Sequence, residues 1–132
     1  MNFKALAVPN GRPTSYICRG FRFPTDKEYH ITKFAPVQSN LDVLHHMVLY
    51  KSQEYFGDEY RDCASMPENS EPIFAWAAGM GDFELPPDVG IRVGRGVAEY
   101  GVLQVHYDNP SKLGGLEDSS GIRMEMTRYG IT

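Results

Sequence analysis

Short runs in which apolar and polar residues alternate recur along the chain, separated by clusters of Gly, Pro, Asn and Asp. A period of two is typical of a β-strand with one buried face, because successive side chains point to opposite sides. Such runs predict strands at 3–8, 15–23, 29–35, 43–51, 91–93, 97–107 and 122–127. The pattern therefore predicts an all-β fold: a single antiparallel, jelly-roll-like β-sandwich of about eight short strands.

Prolines and glycines predict where these strands end. Pro36 is expected to end the strand before it, and residues 67–72 and 108–121 are expected to be loops, the second of them long and exposed. The apolar run 73–78 is too short for its pattern to separate helix from strand. Residues 94–96, Gly-Arg-Gly, are expected to join the strands on either side of them as a hairpin.

Length and charge limit the classes of function. The 132 residues predict one domain, spanning 1–132, with a buried core. A formal net charge of −4 without a Lys/Arg cluster argues against a nucleic-acid partner. No apolar run is long enough for a membrane segment, and no signal peptide is evident at the N-terminus. We therefore expect either an intracellular chain or the mature segment of an exported protein carrying a start Met.

The chain has two cysteines, Cys18 and Cys63. Their spacing matches neither a C-x-x-C motif nor a zinc ribbon, so in a reducing compartment they would be two unrelated buried thiols. Oxidised to each other, they would close a loop worth on the order of 4 kcal/mol in the chain-entropy model. We favour the disulfide, and with it a secreted or luminal protein.

Two adjacent histidines, His45 and His46, begin the strand predicted at 43–51, and His106 lies in the strand predicted at 97–107. Imidazole is a common ligand of copper and zinc, so these residues suggest a three-histidine metal site. Neighbouring residues of a regular strand point to opposite faces. The pair can therefore share one ion only if the strand bends there or Nδ1 coordinates. The alternative is one imidazole in the core and one in solvent.

Other candidates for metal chemistry are weaker. His30 lies in a polar stretch and is expected at the surface. Met47, Met124 and Met126 carry soft thioethers that suit Cu(I), although core packing is the more frequent use of methionine. Three histidines with an open position would also suit zinc, but no general base stands out to support a zinc hydrolase.

Several short motifs occur in an order and spacing that resemble one known family from about residue 3 to about residue 128. They are Tyr16-Ile17-Cys18, Val43-Leu44-His45-His46-Met47, Ala75-Trp76-Ala77, Gly90-Ile91-Arg92-Val93-Gly94, Leu103-Gln104-Val105-His106-Tyr107-Asp108-Asn109-Pro110 and Asp118-Ser119-Ser120-Gly121-Ile122-Arg123-Met124. Together they resemble the copper type II, ascorbate-dependent monooxygenases. The last two motifs look more like the dopamine β-monooxygenase branch.

The resemblance implies a specific role. Such enzymes have two β-sandwich copper domains, and this chain looks like the N-terminal one. Its copper would be held by His45, His46 and His106, and would pass on an electron supplied by ascorbate. The oxygen-activating copper belongs to a C-terminal domain with a His-x-His pair, which is not found in this sequence. The implied partner is therefore a second copper-binding domain, in the full-length protein or in another chain. Whether the chain forms a homo-oligomer is left open.

The resemblance also bears on the residues around the site. It implies a bridge between Cys18 and Cys63, whereas Ser52 and Ser119 stand where relatives have further half-cystines. The segment 53–71 is therefore expected to be less constrained.

Gln104, on the same strand face as His106, and Tyr16 are expected to orient a ligand imidazole. Ordinary packing and a backbone hydrogen bond are the alternative role for both. Two functions remain open: the electron-transfer half of a monooxygenase, or a stand-alone copper-binding or copper-delivery protein without oxygenase activity.

Overall fold

The structure, a computed structural model, describes residues 6–7, 14–38, 44–63, 66, 69–109 and 114–127. These residues form strands, turns and loops, and none of them forms a helix of the length and apolarity needed to cross a membrane. The strands are β1 (Leu6–Ala7), β2 (Thr14–Arg22), β3 (Glu28–Val37), β4 (Leu44–Ser52), β5 (Arg61–Asp62), β6 (Ser70–Ala77), β7 (Phe83–Glu84), β8 (Ile91–Gly94), β9 (Tyr100–Asp108), β10 (Glu117–Asp118) and β11 (Gly121–Thr127).

Two antiparallel sheets form a sandwich, as the alternating pattern predicts. One sheet has the order β5-β2-β9-β4-β6, and in the other β3 pairs with β11, β7 and β8. β1 and β10 form a separate antiparallel pair. The inner faces of the sheets meet in one apolar cluster. Its largest fully buried side chains include Trp76, Tyr107, Phe34, Ile31 and Met47. The all-β prediction is confirmed, with four two-residue strands beside seven longer ones in the described residues.

The predicted hairpin around residues 94–96 is wrong. β8 pairs with β3, whereas β9 lies between β2 and β4 in the other sheet. A single bridge joins Gly94 to Ala98, after which the chain crosses between the sheets. Gly94 has a φ of 95°, which favours glycine. From Val102 to Val105 every residue of β9 is buried, on both faces of the strand. Such a strand needs a neighbour on each side, and a hairpin with β8 would supply only one.

Two boundaries expected at prolines are also wrong. Pro36 lies inside β3, opposite Ile122 of β11, and Pro72 lies inside β6. Both positions have a neighbouring strand on one side only among the described residues, and a proline is tolerated on a strand with such an open side, where a missing N–H breaks no ladder bond. The undecided run 73–78 is strand through Ala77.

The expectation of a long exposed loop at 108–121 is wrong at its two described ends. Asn109, Asp118 and Ser120 are buried. The Tyr107 hydroxyl donates to Asp118 Oδ2 at 2.6 Å, and the Ser120 hydroxyl donates to Oδ1 at 2.7 Å. Burial, together with this contact to Asp118, raises the pKa of Tyr107. The returning chain is therefore attached to the strand that carries His106, and residues 110–113 lie outside the described part.

Candidate metal centre

A β-bulge places both adjacent histidines on the outer face of the five-stranded sheet. Leu44 pairs with Tyr107 and His46 with His106, so His45 is an extra residue between two paired positions. Leu44 and Met47 are buried, whereas His45 is exposed and His46 half-buried. The bend that a shared ion requires is therefore present. The sequence contains a sign of this bulge. The buried apolar residues of β4 are three positions apart from Leu44 to Met47 and two positions apart from Met47 to Leu49, whereas a regular strand keeps a spacing of two.

The three sequence-predicted histidines converge. His45 Nδ1 lies 2.9 Å from His46 Nδ1, and His46 Nδ1 lies 3.1 Å from His106 Nδ1. A candidate ligand atom from each ring lies within 4.8 Å of the others. The alternative in which one imidazole enters the core and its neighbour points to solvent is wrong, because His46 and His45 share one face.

The donor set fits a metal ion. A neutral imidazole Nδ1 carries either one proton or one lone pair, so His46 Nδ1 cannot form a normal hydrogen bond to both neighbours. One cation held by all three nitrogens would remove this conflict. Metal–nitrogen bonds of about 2.0–2.1 Å put adjacent ligand nitrogens roughly 2.9–3.4 Å apart, which covers both observed distances. If Nδ1 of His106 binds the ion, the proton of that ring is on Nε2, which is buried without a hydrogen-bond partner among the described groups.

The surroundings of His46 and His106 favour the neutral form of both imidazoles by lowering the pKa of each. Burial lowers the pKa of His46, and the neighbouring His45 lowers it further. Burial likewise lowers the pKa of His106, assisted by His46 and His45 and opposed by Asp108. Because only a deprotonated ring nitrogen binds a metal ion, these shifts reduce the competition from protons.

Tyr16 contacts the site directly. It lies opposite His106 in the register of β2 and β9, and the two rings stack with centroids 4.4 Å apart and planes 8° apart. The Tyr16 ring also lies edge-on to His46, at a centroid distance of 6.4 Å. The orientation of the His106 ring is therefore restricted on one side by an aromatic face.

Gln104 shares the strand face of His106, but its described hydrogen bonds run elsewhere. Its Nε2 donates to the Cys63 carbonyl at 2.9 Å, and its Oε1 accepts from the Tyr50 hydroxyl at 3.4 Å. These contacts join β9 to the disulfide region rather than to an imidazole.

The disulfide between Cys18 and Cys63 is present, with a Cα–Cα distance of 5.8 Å. The alternative of two unrelated thiols is therefore wrong. The Cys63 N–H also donates to the Tyr16 carbonyl at 3.0 Å, so the bridged segment supports the strand beside the site. Ser52 is buried, and its hydroxyl donates to the Glu54 carbonyl at 2.9 Å.

The remaining candidate residues lie outside the cluster. Met47 is fully buried, and Met124 and Met126 pack against the core. His30 is only 5% exposed, which contradicts the expected surface position. Its Nε2 lies 3.4 Å from a Glu28 carboxylate oxygen, and this partner compensates for burying the ring.

One residue near the site was missed. Met80 lines a cavity of about 370 Å³ together with His45, His46, Val48, Ala75, Trp76 and Ala77. It is 41% exposed. Its only signal in the sequence is its place between Gly79 and Gly81, where a turn is expected.

Comparison with known proteins assigns the family. The sequence model described as "Copper type II ascorbate-dependent monooxygenase, N-terminal domain" matches residues 1–114. The chain belongs to this family. It is 35% identical to human "DBH-like monooxygenase protein 1" over 92% of the chain and 22% of that protein. It is 33% identical to "Peptidyl-glycine alpha-amidating monooxygenase A" of Xenopus laevis over 92% of the chain and 14% of that protein. It is 31% identical to "Tyramine beta-hydroxylase" of Caenorhabditis briggsae over 91% of the chain and 22% of that protein.

The chain thus spans about a fifth or less of the length of these relatives. The family resemblance read from the motifs is confirmed. A three-histidine cluster in a copper monooxygenase family supports copper as the metal of this site.

Proposed function

We propose that this copper monooxygenase domain is the electron-transfer half of an ascorbate-dependent enzyme. His45, His46 and His106 would bind one copper ion. When bound, copper supplies a one-electron Cu(I)/Cu(II) couple, which is reduced by ascorbate and reoxidised by a second copper site. The observation that carries the proposal is the convergence of the three Nδ1 atoms at 2.9 and 3.1 Å.

The protein groups have separate tasks in this proposal. The bulge turns His45 onto the face of His46, and the cross-strand register brings in His106. The lowered pKa values of His46 and His106 keep both rings able to bind the ion. Tyr16 restricts the His106 ring by stacking on it. Because the site lies on the outer face of the sheet with His45 exposed, a reductant and a second domain can approach it.

The proposed partner is a second copper-binding domain, in the same gene product or in another chain. The support for it is membership in a family whose matched region is an N-terminal domain, together with relatives several times longer than this chain. We also propose a secreted or luminal location, since the disulfide is the form that cysteines take in an oxidising compartment.

Metal analysis and Cu(II) electron paramagnetic resonance on the purified chain test the ligand set. His45→Ala, His46→Ala and His106→Ala should each lower copper stoichiometry and change the spectrum. His30→Gln is the matched control, because His30 is the remaining histidine and contacts Glu28 instead. Unchanged stoichiometry in all three alanine variants would refute the assignment.

Ascorbate addition tests the electron-transfer role. The Cu(II) signal of the loaded wild-type chain should disappear on reduction and return with a one-electron oxidant. A signal that ascorbate leaves intact would contradict the electron-transfer role. Hydroxylation of a substrate should appear only when a second copper domain is added. If no such domain restores hydroxylation, the copper-binding or copper-delivery function becomes the better account.

A further inference from the structure

The lining of the cavity beside the histidine pair includes a methionine. Met80 lines this cavity with His45 and His46, and the remaining lining is Val48, Ala75, Trp76 and Ala77. Among the described residues, Met80 is one of four large apolar side chains that are exposed. An exposed methionine next to a metal-binding cluster calls for a physical account.

Met80 is held in place at three atoms. Its N–H donates to the Ala77 carbonyl at 3.0 Å, and its carbonyl accepts from Trp76 Nε1 at 2.9 Å. Its Sδ accepts from the Ala77 N–H at 3.3 Å. Gly79, with a φ of 97°, allows the turn that makes this arrangement possible. The thioether is therefore positioned by a backbone N–H on a side chain that is partly open to solvent, since Met80 is 41% exposed as a residue.

This position suits Cu(I) better than Cu(II). A thioether is a soft ligand that selects Cu(I), and sulfur keeps a second lone pair when one accepts from the Ala77 N–H. The apolar wall formed by Val48, Ala75 and Ala77 also favours the ion of lower charge, because desolvation costs more for a doubly charged ion. His45, the exposed member of the cluster, borders the same cavity.

We propose that Met80 is a docking ligand through which Cu(I) is loaded into the histidine site. The step is a ligand exchange with no change of oxidation state. The Met80 thioether replaces a thiolate or thioether ligand of the Cu(I) carrier, which stays with the carrier, and the imidazoles of His45 and His46 then replace the thioether, which is released unchanged. This inference rests on the proposed function, because it assumes that the three histidines are the final copper site.

The test compares the loading rates of the two oxidation states. Cu(I) is presented as its coloured bicinchoninate complex under anaerobic conditions, and Cu(II) as its glycine complex. Met80→Leu removes the sulfur with nearly the same volume. Met124→Leu is the matched control, because Met124 packs against the core away from this cavity. Thermal unfolding of the metal-free variants checks that both are folded.

We expect Met80→Leu to slow Cu(I) transfer by about tenfold, the lower end of the effect of losing a supporting contact at a metal site. Its Cu(II) loading rate and final copper stoichiometry should equal those of the wild type. Cu(I) transfer at the wild-type rate, or equal slowing of Cu(I) and Cu(II), would overturn the inference. A wrong histidine site would be recognised by another measurement: the alanine variants of His45, His46 and His106 would then bind as much copper as the wild type.

Discussion

The bulge at His45 predicts that deleting this residue destabilises the fold much less than deleting Val48 from the same strand. His45 is the extra residue between Leu44, paired with Tyr107, and His46, paired with His106. Deleting it should leave a regular antiparallel strand, in which all the remaining residues of β4 keep their faces and their partners. Because His45 has no cross-strand partner in β9 and such pairs contribute at most about 1 kcal/mol, we expect the free energy of unfolding of the metal-free protein to change by no more than about 1 kcal/mol. Copper affinity should fall by at least about tenfold, because one ligand is lost.

Deleting Val48 is the matched control. Val48 also points to the outer face, but it is paired on both sides, with Gln104 and Ala75. Its loss rotates one flank of β4, so that either Leu44 and Met47 or Leu49 must leave the core. At about 1.5–3 kcal/mol for each side chain, the cost is about 1.5–6 kcal/mol. That is a large part of the roughly 5–15 kcal/mol by which domains are stable.

Urea unfolding followed by fluorescence measures both deletions. The chain has a single tryptophan, Trp76, which is 1% exposed and pairs with Met47 of the affected strand. Its emission should therefore report the packing of β4 directly. If deletion of His45 destabilises the protein as much as deletion of Val48, the register is continuous through His45 and the bulge argument is refuted.

Three further measurements test the supports of the site. Replacing Cys18 and Cys63 together by Ser should cost about 4 kcal/mol in urea unfolding, from the 45-residue separation, and an unchanged midpoint would contradict this. Tyr107→Phe removes a donor to a buried carboxylate and should cost about 1–3 kcal/mol in the same assay, so wild-type stability would refute the contact. The lowered pKa values of His46 and His106 mean that the folded state binds fewer protons than the unfolded state below the ordinary value of 6.5. Metal-free stability should therefore be complete above that pH and fall as the pH drops through the lowered values, and a flat melting temperature from about pH 5 to about pH 8 would contradict this.

The strands and the ligand residues could be predicted because each leaves a local trace. Alternation along 15–23 anticipated β2, and the histidines stood within two predicted strands. Local signals failed where the partner strand decided the outcome. Pro36 and Pro72 are tolerated inside strands because each has an open side, and no property of the neighbouring sequence shows which side is open.

Met80 and Gln104 show the same limit at the site itself. Met80 was missed because its closeness to His45 and His46 depends on the pairing of β6 with β4. Gln104 was correctly placed on the face of His106, but its hydrogen bonds run to Cys63 and Tyr50, which come from other segments. Strand periodicity predicts the face of a side chain, whereas its contacts depend on the strands beside it.

The amino-acid sequence alone determines that this chain is a β-sandwich of the copper monooxygenase family with three candidate ligand histidines, since alternation and short motifs are local properties. Only the tertiary structure decided that His45 and His46 share a face, because that depends on one unpaired residue in the register between β4 and β9. The same register brings His106 to within 3.1 Å of His46. A one-residue shift exchanges the two faces of a strand, so register converts three histidines of the sequence into one site.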